Sequence, residues 1–255
     1  MDSLLVEVAD GVATVTLNRP EARNALNRDL LVALPRSIAE LDAQADVGAI
    51  VLTGADPAFC AGLDLKQLSN DGGVAPPPPP DARGPLPPHR TPVIGAINGA
   101  CVTGGLELAL ACDFLVASEH ARFADTHARV GILPGWGLTV LLPAAVGERR
   151  ARQMGFTGNY VDAHTALVWG LVNEVVAHDQ LLARAQDLAR DIASIAPATI
   201  GAYRAMYDEV GDVARAEAWR READISARWL ASGFDRAHLA GAREAIQARG
   251  REQSI

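Results

Sequence analysis

Aromatic residues are scarce, at 5% of 255 positions. A core here must come mainly from Ala, Leu and Val, and an apolar content of 49% is enough to build one. Lysine is rarer still: Lys66 stands alone, and arginine carries the rest of the positive charge. The net charge of −8 argues against a general nucleic-acid binder, although local arginines can still meet the phosphates of an anionic small molecule. Cysteine is limited to Cys60, Cys101 and Cys112, an odd number without CxxC spacing. That pattern offers no disulfide framework and suits a reducing compartment. The histidines are scattered without ligand spacing, so no metal is expected. No charge-free apolar run reaches the roughly 18 residues of a membrane-spanning helix. Asp2 and Glu7 stand where a secretory leader would carry basic residues, so none is expected. Together these absences point to a cytoplasmic protein.

What is present alternates between strand and helix patterns. Residues 4–8 and 12–17 are β-rich runs joined by Asp10-Gly11, a pair suited to a tight hairpin. Asn27 caps an expected helix with Leu30, Leu31, Leu34, Ile38 and Leu41 on one face, and Pro35 is expected to kink it or delay its start. Residues 47–52 read as a buried strand. Residues 59–66 place Gly62 among small residues, a sign either of an ordinary turn or of backbone exposed to a ligand. Residues 69–90 are low in complexity and hold the proline run 76–80, so they predict a surface loop rather than helix or central strand. Further on, 121–124 and 171–176 read as strands, and 138–146, 151–156 and 163–169 as helices. From residue 178 the pattern turns helical, with Leu181, Leu182, Ala185, Leu188, Ala189 and Ile192 on one face. Two more helices are expected at 197–210 and 213–231, then a helix and frayed tail at 235–255. Strands alternating with helices, followed by helices alone, predict an α/β core with a helical C-terminal part.

The organising stretch is 91–117: a short buried strand, the break Asn98-Gly99, then Thr103-Gly104-Gly105 opening a run of helix formers. A helix N-terminus presents unpaired N–H groups and positive dipole. Glu107 follows Gly104 by three residues, on nearly the same face. One turn therefore offers a backbone donor for an oxyanion and a carboxylate that can move a proton.

Several ordered blocks resemble the crotonase (enoyl-CoA hydratase/isomerase) superfamily. They are 92–99, Gly104-Gly105-Leu106-Glu107-Leu108-Ala109, Cys112-Asp113 and Phe59-Cys60-Ala61-Gly62-Leu63-Asp64-Leu65. Gly131-Ile132-Leu133-Pro134-Gly135, Phe156-Thr157-Gly158 and Gly170-Leu171-Val172 follow at suitable spacing, and Leu17-Asn18-Arg19-Pro20 with Asn24-Ala25-Leu26 fits too. The resemblance spans about 4–230. It implies the ClpP/crotonase fold: an α/β superhelix of ββα turns over 1–195, including the proline-rich loop 69–90, and C-terminal trimerisation helices over 196–255. It implies a homotrimer or dimer of trimers acting on an acyl-CoA thioester, without a cofactor beyond the coenzyme A of the substrate. By position, the N–H groups of Leu63 and Gly104 would hold the thioester oxygen, a type of contact worth roughly 3–4 kcal/mol each. Backbone at Ala61, Asp64, Leu65 and Lys66 would meet adenine and pantetheine, and Arg19, Arg23 and Lys66 the CoA phosphates. Trp136 would line the acyl tunnel or close its loop, with core packing as the alternative.

Hydratases of this family grip one water between two glutamates. The first maps to Glu107. At the second position this chain has His127, in a block that aligns without a gap. Histidine also moves protons near neutral pH, so Glu107 would activate water and protonated His127 would supply C2. His127 could instead only shape the pocket, with Asp125 standing in. The expected activity is hydration of a 2-enoyl-CoA to a 3-hydroxyacyl-CoA. Isomerisation, decarboxylation, thioester hydrolysis or an inactive acyl-CoA-binding protein are the alternatives. A serine hydrolase finds little support, because no Ser sits at the glycine turn and Thr103 has no evident base.

Overall fold

Asp10 and Gly11 both take positive φ (52° and 75°), which a two-residue turn of the hairpin type demands. They join β1 (Leu4–Ala9) to β2 (Val12–Leu17) in antiparallel register. The computed structural model describes residues 2–70, 84–212 and 216–231, with 245, 247, 248 and 251 beyond them. The proline run 76–80 and nearly all of 235–255 lie outside the described residues.

After β2 the chain forms α1 (Arg28–Asp42), β3 (Ala49–Gly54), β4 (Ala58–Cys60) and α2 (Leu65–Asn70). Then come β5 (Val93–Ile97), β6 (Ala100–Val102), α3 (Gly104–Leu110), β7 (Phe114–Ser118), β8 (Arg122–Ala124) and α4 (His127–Val130). α5 (Leu138–Val146), α6 (Glu148–Thr157), β9 (Val161–Asp162), α7 (Ala163–Trp169) and β10 (Glu174–Val176) follow. α8 (Leu181–Ala193), α9 (Pro197–Asp212) and α10 (Ala216–Ala231) complete the described elements.

The strands make two sheets. One runs β1-β2-β3-β5-β7-β10, parallel from β2 onward; the other runs β4-β6-β8-β9, parallel except for β8 with β9. β3 is buried at every residue, which explains its unbroken apolar run: both faces are covered. One face, with Ile50, Leu52, Val93, Ile97 and Leu115, meets α1, α3, α5 and the second sheet. The other, with Ala49, Val51, Ile94, Ala96 and Val116, takes Leu181, Ala185 and Ala189 of α8. The helix face read from 178 onward is thus a sheet-covering face.

Three details depart from the sequence reading. α1 starts at Arg28 and runs through Pro35, with Asn27 capping it through Leu30 N–H at 3.0 Å. Burial of Leu30, Leu34, Ile38 and Leu41, at roughly 1.5–3 kcal/mol each, outweighs the ~3 kcal/mol cost of an interior proline. Residues 65–70 form a helix, because Asp64 Oδ1 accepts from the N–H groups of Lys66 and Gln67. The strand expected over 171–176 is confined to Glu174–Val176; Leu171 and Val172 are buried in the core without joining a ladder.

Candidate active site

The loop before α2 meets the start of α3 because glycine keeps both backbones bare. A Cβ at Gly105 would lie 2.1 Å from the Cys60 carbonyl oxygen, and one at Gly62 (φ +90°) 2.9 Å from that of Val102. The backbone nitrogens of Leu63 and Gly104 lie there. Leu63 bridges Leu26 in parallel fashion, with Leu26 N–H on Gly62 O and Asp64 N–H on Leu26 O. That pattern turns the N–H of Leu63 itself away from Leu26. Gly104 opens α3, so its N–H has no intrahelical acceptor. A Cβ at Gly104 would stand 3.6 Å from Leu63 N and 3.3 Å from the Trp136 ring. Leu63, Gly104 and Trp136 therefore border one space.

Thr103, just before Gly104, is held at φ 56°, ψ −114°, a conformation a β-branched residue rarely adopts. Its N–H bonds Ala124 O, and its hydroxyl contacts the Thr126 hydroxyl at 2.5 Å. The start of α3 is thereby tied to the segment carrying His127.

Glu107 lies in the first turn of α3, 3% exposed. Its Oε1 accepts the Trp136 N–H at 2.9 Å, and its Oε2 lies 3.5 Å from His127 Nε2. The other ring nitrogen, His127 Nδ1, is 2.7 Å from Asp125 Oδ1, which also accepts the His127 backbone N–H. Asp125 fits because residue 155 on α6 is glycine: a Cβ there would come within 3.0 Å of Asp125 Oδ2. The result is a buried line of carboxylate, imidazole and carboxylate. Burial alone would push the imidazole down; the hydrogen bond to Asp125 and the Glu107 carboxylate push it up further, to about 9. These contacts favour the imidazolium form of His127.

The sequence-predicted residues divide. Leu63, Gly104, Glu107, His127 and Trp136 are brought together. Asp64 instead caps α2 and pairs with Arg19 at 3.0 Å. The Arg19 guanidinium also bonds Ala25 O, which turns it toward the protein. Arg23 and Lys66 are exposed, and Ala61 and Leu65 are half-buried near the site's edge. Asp125 Oδ1 lies against His127 Nδ1 and accepts the His127 backbone N–H. Glu222, on α10, went unread: its carboxylate accepts the N–H groups of Gly137 and Thr139 and the Thr139 hydroxyl. Nothing local marks it, since it lies 85 positions from Gly137. Burial and the nearby Glu107 carboxylate raise the Glu222 pKa, against the Thr139 and Gly137 hydrogen bonds that lower it.

A Ser-His-Asp arrangement does occur elsewhere. Ser118 Oγ is 2.9 Å from His178 Nδ1, and His178 Nε2 is 3.2 Å from Asp56. Ser118 is fully buried, so it presents no nucleophile to a substrate. Thr103 contacts a hydroxyl, not a base.

The two-sheet α/β architecture, with glycine-bared N–H groups beside a buried glutamate, defines a crotonase-fold protein. The chain belongs to the enoyl-CoA hydratase/isomerase family, whose model matches residues 7–239. It is 37% identical over 211 residues to the short-chain-enoyl-CoA hydratase of Clostridium acetobutylicum, covering 78% of each chain. To the (E)-benzylidenesuccinyl-CoA hydratase of Thauera aromatica it is 39% identical over 209 residues, covering 77% of this chain and 78% of that one. Among solved structures, the enoyl-CoA hydratase of Mycobacterium tuberculosis H37Rv superimposes with a TM-score of 0.84 at 48% identity, over 90% of this chain and all of that one.

Proposed function

We propose that the protein hydrates a 2-enoyl-CoA to the 3-hydroxyacyl-CoA, with Glu107 and His127 as the proton-transfer pair. The carrying observation is the Asp125–His127–Glu107 line beside the backbone N–H groups of Leu63 and Gly104. Those two donors would hold the thioester oxygen as charge develops on it. Glu107 takes a proton from water as the water oxygen bonds to C3; the His127 imidazolium gives a proton to C2. Glu107 then holds a proton and His127 lacks one, and transfer across the 3.5 Å between Oε2 and Nε2 resets the pair. The reacting water would have to sit within hydrogen-bond reach of both atoms. The reaction needs no redox step, so the coenzyme A of the substrate suffices.

Exposed Lys66 and Arg23 suit the CoA phosphates. Exposed Tyr203, Met206 and Tyr207 on α9 support a homotrimer or dimer of trimers, with 196–255 as the assembling part. No helix among the described residues is long and apolar enough to cross a membrane. With the buried free thiols, this supports the cytoplasmic reading.

The test is loss of crotonyl-CoA absorbance with purified protein, with product mass checked. Hydration adds the mass of water, isomerisation leaves it unchanged, and decarboxylation removes carbon dioxide. Glu107→Gln is expected to lower kcat by at least ~100-fold while the ester still binds. Wild-type protein inert toward 2-enoyl-CoA esters of every length, beside an active control enzyme, would sink the assignment.

A further inference from the structure

The stretch between α4 and α5 holds Gly135 and Gly137 and has no regular structure of its own. Yet its Trp136 N–H is the donor that fixes Glu107 Oε1. The next N–H, of Gly137, points to a second carboxylate, Glu222 Oε1. Glu222 Oε2 takes the Thr139 N–H at 2.6 Å and the Thr139 hydroxyl. Gly137 and Thr139 lie at the start of α5, where N–H groups lack intrahelical acceptors and negative charge is favoured.

α10 meets this loop with one face. Trp219, Glu222 and Ser226 follow at spacings of three and four. The Trp219 ring occupies the place a side chain at 137 would need, 1.8 Å from its Cβ position. The Ser226 hydroxyl donates to Leu133 O at 3.1 Å. Packing alone does not call for a carboxylate there. A charge only 7% exposed is costly unless it is fully bonded, and every donor recorded on Glu222 comes from the segment that holds Glu107.

We propose that Glu222 is a positioning residue for the proposed reaction: by clamping Gly137 and Thr139, it fixes the Trp136 N–H that aims the Glu107 carboxylate. Consecutive amides on either side of the Trp136 Cα serve two carboxylates, so a shift of the Trp136 backbone disturbs both contacts. The inference rests on Glu107 as the proton-transfer group, and its test separates the two claims.

The full-length protein is compared with Glu222→Gln, Glu222→Ala and Ser226→Ala. Glutamine keeps the size of Glu222 but turns one amide donor against backbone donors. With crotonyl-CoA, both Glu222 variants are expected to lose about 10–100-fold in kcat with KM within about threefold, the mark of misplacement rather than lost binding. Ser226→Ala, which removes the hydroxyl contact to Leu133 O but leaves the acceptors of the Gly137 and Thr139 N–H groups in place, stays within about twofold. Amide hydrogen exchange supplies the second readout. In Glu222→Gln, protection at Trp136 is expected to fall at least ~10-fold, although the acceptor Glu107 is intact. If Glu222→Ala fails to fold, Glu222→Gln decides. Folded Glu222→Gln with wild-type kcat overturns the proposal. So does lost kcat with unchanged exchange at Trp136. A wild type inactive on enoyl-CoA esters removes the hydration reading, and the exchange measurement still decides the clamp.

Discussion

Replacing Asp125 by asparagine keeps the shape beside His127 Nδ1 and removes the charge. Without that carboxylate, burial dominates and the imidazole falls from about 9. The basic limb of kcat/KM, set by loss of the imidazolium, is expected near pH 9 in the wild type and lower in Asp125→Asn. A pH–rate profile with crotonyl-CoA checks this, and an unmoved limb would give the proton to another group. The same histidine links pH to stability. Its folded pKa lies above the ordinary 6.5, so its contribution is complete below 6.5 and is lost as pH rises through about 9. On the order of 3 kcal/mol is at stake, readable as falling denaturant midpoints between pH 6.5 and 9. The position of His127 was legible as a departure from the family's glutamate. Its protonated form was part of the same reading; what favours the charge was not legible, because it comes from Asp125 and Glu107 together, one two residues away and the other twenty.

At the scale of elements, the site depends on how closely α3 approaches the end of β4. Gly105→Ala would drive a methyl into the Cys60 carbonyl, which is backbone and cannot swing aside. The expected cost is about 3 kcal/mol or more, with kcat falling as Leu63 and Gly104 part. Thermal melts and turnover of the same preparation check both. Elements such as these were readable from local chemistry: the Asp10-Gly11 hairpin, the Asn27 cap and the glycine break before Glu107. Those that were misread depend on distant partners. α2 is the exception, since its cap, Asp64, directly precedes it. β10 is short because only Glu174–Val176 reach β7. α1 survives Pro35 because four residues bury against the core. Glu222 lay beyond local reading for the same reason: its meaning is set by a loop 85 positions earlier.

For the whole molecule, the uncovered apolar groups of α9 carry the assembly prediction. Tyr203 and Tyr207 stack edge-on at 5.2 Å, and with Met206 they form an exposed apolar stripe. Light scattering is expected to show three copies or a multiple of three. Tyr207→Glu, which places charge in that stripe, is expected to shift the species toward monomer. An unchanged mass would move the interface elsewhere.

The three thiols have a use that follows from where they sit. Cys60 ends β4, Cys101 lies opposite it on β6, and Cys112 follows α3. Burial pushes Cys60 up to about 12 and raises Cys101 and Cys112 as well, so the folded protein holds almost no reactive thiolate. A thiol reagent therefore labels the chain only when the core around these residues opens. Labelling rate is then a clock for that opening, read without mutation or added probe. An acyl-CoA bound to the closed form slows the clock in proportion to its occupancy, so the same three sulfurs report ligand affinity even for esters that never turn over.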